Sequence, residues 1–448
     1  MAQINERFAN PLGRLARVAT LPTAAWYGDR SFDLELPEPW DVEVFWPKTP
    51  PELTDGQIQE ALAKPIGQLP IRQLARGCVS PVIVVDDPTR PTPASRVMPF
   101  LLREFELAGI AASAVTVVVA TGTHGPPDPR AVIAKVGQET ATRCRRVHIH
   151  DHRRDVVRLG RTRFGTPVFV DRMVAACDFV VGLGGVYPQH TAWFGGGSKI
   201  LLGVLGERSI AHLHYTNWNV PQRYATDNRF RADLNQVAEL VGMRTCISIH
   251  IDANRRPVRV VSGDPLAYYE AAARYSRDEY RAPAPGNADV VISNAYPMDT
   301  SVTFAESKGT IPLKHTRPAA SKVLIAACSE GTGNHGLFPL LQVPDHHYEI
   351  QRLRRAWINR SQLPGKIARR VRASRYRQTA PADEPNLYRP IRLYRPVEVE
   401  TQIPASLPGI RRMGSWEEVL HEVALEQPAD RRLRAVVYPC APLQVLEL

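Results

Sequence analysis

Fully apolar runs of four or five residues alternate with amphipathic stretches along most of this chain, a rhythm that predicts buried parallel strands joined by helices. Val82–Val85 leads, and helix-patterned sequence follows from Ser95 to Ala108. Val115–Val119 comes next, then a short helical signal near Ala131–Val136 and strands at Arg146–His150, Val168–Val170 and Asp178–Val181. Ahead of them, residues 1–75 are dotted with proline and hold a strand candidate at Val42–Trp46 and a helix candidate near Thr54–Ala63. Ala282-Pro-Ala-Pro-Gly286 reads as a linker. The rhythm then resumes with Asp289–Ile292, a helical stretch containing Lys308, Lys322–Ala327, Ile391–Arg395, the helix Trp416–Leu425 and the strand Leu433–Tyr438. The expected fold class is α/β, with two α/β domains whose sheets are mainly parallel. Residues 1–282 form the N-terminal, cofactor-binding domain in this reading. Residues 287–448 form the C-terminal one, with an arginine-rich insertion at about 350–390. The active site is expected in the cleft between them.

In parallel sheets ligands gather outside the carboxyl ends of the strands, and three polar clusters fall there. Asp86-Asp87-Pro88-Thr89-Arg90 follows the first apolar run, Thr121-Gly122-Thr123-His124 the second, and Gly182 through His190 the strand at 178–181. Their common position predicts one shared site. Prolines stiffen the first cluster, and Arg90 offers the fork that grips a carboxylate through two hydrogen bonds. A capped loop with an internal ion pair is the plainer alternative. His124 and His190 carry imidazoles, which suit proton transfer in either direction near neutrality. Gly195-Gly196-Gly197 lets backbone approach a ligand closely, with N–H groups able to cradle an anion. Lys199, just beyond, reads as phosphate-binding or covalently reactive. The order of residues is not that of a Walker A loop. His212 and His214 lie about 200° apart on a helix, so only one can face a pocket. His148, His150, Asp151 and His152 leave a zinc site open, the first two sharing one strand face.

Composition narrows the classes. The 448 residues suffice for two or three cores, no apolar run approaches membrane length, and the first twenty residues lack the apolar core of a signal peptide. Six scattered cysteines without a CxxC argue against a disulfide framework or zinc knuckle, so a reducing, cytoplasmic location is expected. The net charge of +11 suggests a nucleic-acid partner until it is located. Arg352–Arg377 holds nine arginines, Lys366 and no acid, which is +10 of the total and leaves about +1 elsewhere. The basic character is therefore local and reads as a solvated segment.

The octet DDPTRPTP at 86–93, the Gly-Thr-His ending at His124, and the run GLGG, Pro188, His190, the glycines and Lys199 together resemble the lactate racemase family. The resemblance implies a nickel-pincer nucleotide, a pyridinium thio-acid mononucleotide carrying nickel. Lys199, Gly195, Gly196, Gly197 and Thr89 would hold it. His214, chosen over His212 because Ser209-Ile210 matches the family's helix start, would bind the metal. His124 and His190 are implied as the two acid/base groups, with Asp87, Arg90 and Lys308 completing the catalytic set. The implied reaction is racemisation or epimerisation of a 2-hydroxy acid. Hydride leaves the α-carbon for the pyridinium ring and returns to either face of the 2-keto acid. Whether Lys199 joins the cofactor covalently is left open.

The chain departs from the family's pattern at three places. Gly125 stands where arginine is usual, the spacing from His190 to Lys199 is one residue shorter, and Ala305 replaces the glutamine preceding Lys308. Ala305 leads to the expectation of a substrate bulkier than lactate. Two other readings remain: a cofactor-binding protein of the same fold without turnover, and a binder of nucleic acid or an acidic partner through residues 352–377. A small hydroxy acid is the expected ligand, with no membrane contact, nucleic acid disfavoured, and the oligomeric state undetermined.

Overall fold

The computed structural model describes residues 14–189, 192–216, 224–336, 389–401, 403–407, 409–428 and 431–447. His190 and the arginine-rich segment 352–377 lie outside the described residues. In chain order the strands that build the two large sheets and their cover are β1 (Leu15–Thr23), β2 (Arg30–Pro37), β3 (Asp41–Val44), β4 (Pro81–Asp86), β5 (Thr116–Ala120), β6 (Arg146–Ile149), β7 (Phe179–Gly185), β8 (Met243–Ile251) and β9 (Pro257–Gly263). They continue with β10 (Val290–Asn294), β11 (Ser321–Ile325), β12 (Ile391–Tyr394), β13 (Ser406–Leu407), β14 (Ile410–Arg412) and β15 (Arg434–Tyr438).

The first sheet has the order β9-β8-β7-β4-β5-β6, parallel throughout except for β9 against β8. Its central strands are buried on both faces, which is why they read as unbroken apolar runs rather than as alternation. Asp86 sits at the last position of β4, so the polar residues after it emerge at the sheet's carboxyl edge. Val168–Val170 does not join this sheet; it belongs to a separate hairpin of Val156–Arg161 with Pro167–Asp171.

The second sheet has the order β13-β14-β12-β11-β10-β15-β3, parallel except at β13–β14. Alternate residues feed two cores. Val290, Ile292, Val323 and Ile325 face Leu21, Leu34 and Leu36 of the β1–β2 hairpin and Trp416, Val419 and Leu420 of the helix Trp416–Glu426. Val291, Leu324 and Val436 face the other core, with Ile311 and Leu313. Leu15–Val44 thus packs on the second sheet, whereas the expected division grouped it with everything up to residue 282. The reason is physical: β3 extends the parallel ladder by pairing with β15, and the hairpin supplies the apolar cover that one face of that sheet lacks. Among the described residues no helix is long and apolar enough to cross a membrane.

Candidate active site

A cavity of about 270 Å³ opens at the carboxyl ends of β4, β5 and β7, and Met298, Phe304, Ser307, Lys308 and His335 close it from the second sheet. Asp87, Arg90, His124, Gly195, Gly196, Lys199, His214 and Lys308 all line it. Thr89 and Gly197 do not, and His190 lies outside the described residues, although Pro188 and Gln189 belong to the wall.

The loop after β4 is wired internally. His124 Nδ1–H donates to Asp87 Oδ2 at 2.7 Å, which fixes the tautomer whose Nε2 can accept a proton. Asp87 Oδ1 accepts from the Thr89 hydroxyl at 2.6 Å, and Arg90 Nη1 donates to Thr89 Oγ1 at 2.9 Å. Thr89, expected at the cofactor, instead couples Asp87 to Arg90. Burial works to raise the Asp87 carboxyl, but His124, Arg90 and Thr89 outweigh it and hold it below its ordinary value.

Three cations, Arg90, Lys199 and Lys308, share the cavity wall. Among the described residues no ion pair joins either lysine to a carboxylate. Burial pushes Lys199 well down, with Arg90, Lys308 and Arg231 adding to the effect. Burial likewise lowers Lys308 to about 7, helped by Arg90 and Lys314. The nearby Asp86 cannot compensate them because Lys135 already holds it at 2.7 Å. Such a wall calls for anions: a phosphate, a carboxylate, or both.

The glycines earn a different explanation from the one expected. Gly196 adopts φ +70°, and a Cβ there would stand 2.5 Å from Val186 Cγ2. A Cβ at Gly195 would meet the Gly185 carbonyl at 2.9 Å, and one at Gly197 would meet Tyr269 Cδ2 at 2.9 Å. The loop is glycine-rich because it lies tight against the end of β7 and Tyr269. Arg231 grips it from behind, donating to the Phe194 carbonyl at 2.9 Å and the Gly196 carbonyl at 2.8 Å while stacking 3.9 Å over Tyr269. Gly197 gives its N–H to the Tyr268 hydroxyl at 2.7 Å, so of the three glycines only Gly195 and Gly196 reach the cavity.

On the helix Glu207–Thr216, His214 faces the cavity and its Nδ1–H donates to the Ile210 carbonyl at 2.8 Å. That bond leaves Nε2 as the ring's lone-pair nitrogen. His212 points elsewhere, bonding Thr166 at 2.9 Å. His335, which the sequence did not single out, and Phe304 complete the wall. His335 lies with its ring centroid 5.2 Å from that of His124, and its carbonyl accepts from the Thr123 hydroxyl at 2.9 Å. Its position after β11 obeys the same carboxyl-edge rule and could have been read from it. Phe304 packs edge-on to His124 at 4.8 Å, under the Arg90 guanidinium at 5.9 Å. Ala305, expected to open the pocket beside Lys308, is instead fully buried in the second sheet's core. The π-helical turn Ala305–Gly309 turns Ser307 and Lys308 to the cavity and Ala305 away.

The histidine cluster considered for zinc is tied up structurally. His148 Nε2 and His150 Nδ1 both bond Asp171 Oδ2, at 3.0 and 2.8 Å. Among the described residues no three His, Cys, Asp or Glu side chains form a metal-binding group.

Comparison with known proteins points in one direction. Residues 27–225 match the family described as the lactate racemase N-terminal domain. The lactate racemase of Lactiplantibacillus plantarum is 24% identical over 290 residues, covering 63% of this chain and 68% of that protein. The lactate racemase of Thermoanaerobacterium thermosaccharolyticum is 25% identical over 292 residues, covering 63% and 67%. Among solved structures, the lactate racemase apoprotein from Thermoanaerobacterium thermosaccharolyticum superposes with a TM-score of 0.68 at 19% identity, over 96% of this chain and all of that one. A protein from Thermotoga maritima superposes with a TM-score of 0.57 at 16% identity, over 89% of this chain and all of that one.

Proposed function

We propose, for a chain that belongs to the lactate racemase family, that it inverts the configuration of a 2-hydroxy acid by reversible hydride transfer. The observation that carries the reading is the Asp87-oriented His124 set in one cavity with Arg90, Lys199 and Lys308, neither lysine forming an ion pair with a carboxylate among the described residues. A nickel-pincer pyridinium nucleotide, when bound, would supply the hydride acceptor that this route to inversion uses. The residues present fit such a group. Lys199 offers a buried amine beside Gly195 and Gly196, where the loop leaves no room for a side chain. His214 offers Nε2 as a metal ligand; with no three-residue metal group among the described residues, the remaining donors would be the nucleotide's own.

Each catalytic step assigned to the protein is a proton or an anchoring contact. Arg90 and Lys308 bind the substrate carboxylate and the oxygen that becomes the carbonyl, placing the α-carbon before His124. His124 Nε2 takes the hydroxyl proton as the carbonyl forms, and Asp87 stabilises the resulting imidazolium. His190 is assigned the same role for the other enantiomer. Lys308 serves in its ammonium form, which a bound carboxylate favours over the neutral amine that burial prefers. Phe304 and Met298 give the wall near Arg90 and Lys308 an apolar surface, which favours a substrate side chain bulkier than the methyl group of lactate.

The test uses protein co-expressed with cofactor-synthesis enzymes and a panel of 2-hydroxy acids deuterated at the α-carbon. Inversion with the deuterium retained is expected for at least one acid. Inversion with loss of label to solvent would exclude hydride return. A nickel-bearing protein with a pincer absorption band that inverts none of the panel would favour the reading without turnover.

A further inference from the structure

Lys135 lies in the last turn of the helix Pro129–Val136, which follows the His124 loop, and none of its side chain is exposed. Its ammonium stands 2.7 Å from Asp86 Oδ1 and donates to the carbonyls of Arg90 at 2.9 Å and Thr92 at 3.1 Å. Three partners meet three protons. Two carbonyls accept hydrogen bonds and the third partner is a carboxylate at ion-pair distance, a set that suits the charged amine. The Trp26 ring lies 5.1 Å from the ammonium. Asp86 uses its other oxygen to accept from the Thr92 hydroxyl at 2.7 Å and from Gly185 N–H at 3.0 Å. One buried side chain therefore ties together the end of β4, the loop that carries Asp87 and Arg90, and, through Asp86, the end of β7.

A buried ion pair is by itself weak evidence for stability, since a well-packed apolar pair often does as well. What an apolar pair cannot supply is the two bonds to the Arg90 and Thr92 carbonyls. Both bonds lie at or just past the carboxyl end of the stretch Asp86–Arg90, whose Asp86, Asp87 and Arg90 line the cavity. Lys135 does not itself line the cavity; it contacts two residues that do, Asp86 and, at its carbonyl, Arg90.

We infer that Lys135 is a positioning residue, whose bonds to the Arg90 and Thr92 carbonyls hold Arg90 and the Asp87–His124 pair in the orientation that receives a carboxylate. This rests on the carboxylate-binding reading of Arg90. Pre-set orientation of this kind raises affinity by removing the ordering that binding would otherwise require.

The experiment compares full-length wild type, Lys135→Met and the double variant Asp86→Asn/Lys135→Met. Three quantities are read: oxalate affinity by calorimetry, urea stability, and the rate at which phenylglyoxal modifies Arg90, mapped by peptide mass spectrometry. Lys135→Met leaves Asp86 unpaired and should be less stable; the double variant removes the buried charge and should regain most of that loss. If Lys135 positions Arg90, oxalate binds at least tenfold more weakly in both, and Arg90 reacts several-fold faster in both. Should Lys135→Met not fold, the double variant alone decides. A double variant with wild-type oxalate affinity and wild-type Arg90 reactivity overturns the inference, because the lysine would then only neutralise Asp86. A wild type without oxalate affinity, with Arg90 still faster in both variants, sinks the carboxylate reading and upholds the positioning role.

Discussion

Replacing Lys308 by methionine should stabilise the protein below neutral pH, and the gain should fade as pH rises. Burial, with Arg90 and Lys314 nearby, brings this lysine from its ordinary 10.5 down to about 7. At ~1.36 kcal/mol per pH unit, that fall sets a ceiling of about 5 kcal/mol on the cost of keeping the ammonium in the folded protein. The amine opens onto the cavity, where water screens it, so about 1–3 kcal/mol is the expected effect. The sign follows from proton counts. Below about pH 7 Lys308 is charged folded and unfolded, and the full penalty applies. Between about pH 7 and 10.5 the unfolded chain binds a proton that the folded one has lost, so wild-type stability climbs with pH. Methionine has similar length and no charge, and carries no such penalty. Urea unfolding of both proteins at pH 6 and pH 9.5 is the assay, with the variant's advantage expected at pH 6 and largely gone at pH 9.5. A variant no more stable than wild type at pH 6, or an advantage independent of pH, would refute the reasoning. The same substitution should weaken oxalate binding, so a stability gain would accompany a functional loss.

Three further outcomes are expected. Asp87→Asn keeps the side chain's shape but removes the negative charge behind His124 and one of the two acceptor oxygens that serve His124 and Thr89, and should lower turnover about 10²–10⁴-fold in a steady-state assay on whichever hydroxy acid proves active. His214→Ala should abolish nickel retention, read by elemental analysis, whereas His212→Ala should retain nickel and lose about 1 kcal/mol with its Thr166 bond. Arg231→Met strips the Phe194 and Gly196 carbonyls of a buried donor and should destabilise the protein by about 2–4 kcal/mol, visible as a lower melting temperature.

The parts of the site that were legible in the sequence are those specified locally. An apolar run ending in Asp86 announces both a buried strand and the polar loop at its carboxyl end, so Asp87, Arg90 and His124 could be grouped before any coordinates. Helix geometry showed that only one of His212 and His214 could face the cavity, and the resemblance at Ser209-Ile210 implied His214. What stayed hidden acts through space. Lys135 and Arg231 resemble ordinary helix lysines and arginines until their carbonyl partners 43–45 and 35–37 residues away are known. Ala305 was set beside the substrate because it stands where the family has glutamine, and the π-helical turn that carries Ala305–Gly309 leaves it in the core instead. The placement of Leu15–Val44 depends on a ladder with residues near the far end of the chain, and no local pattern encodes it.

That ladder has a consequence for how the protein comes into being. Glu43 on β3 meets Arg434 on β15 across 391 positions of sequence. On a ribosome the early segment must therefore wait, its apolar face uncovered, while the first sheet is made and folds between the two halves of its own neighbour. Contacts this distant close slowly and leave edges open to wrong partners in the meantime. A fragment stopped at residue 282 would carry β3 without the strand it pairs with, and should aggregate where the full chain does not.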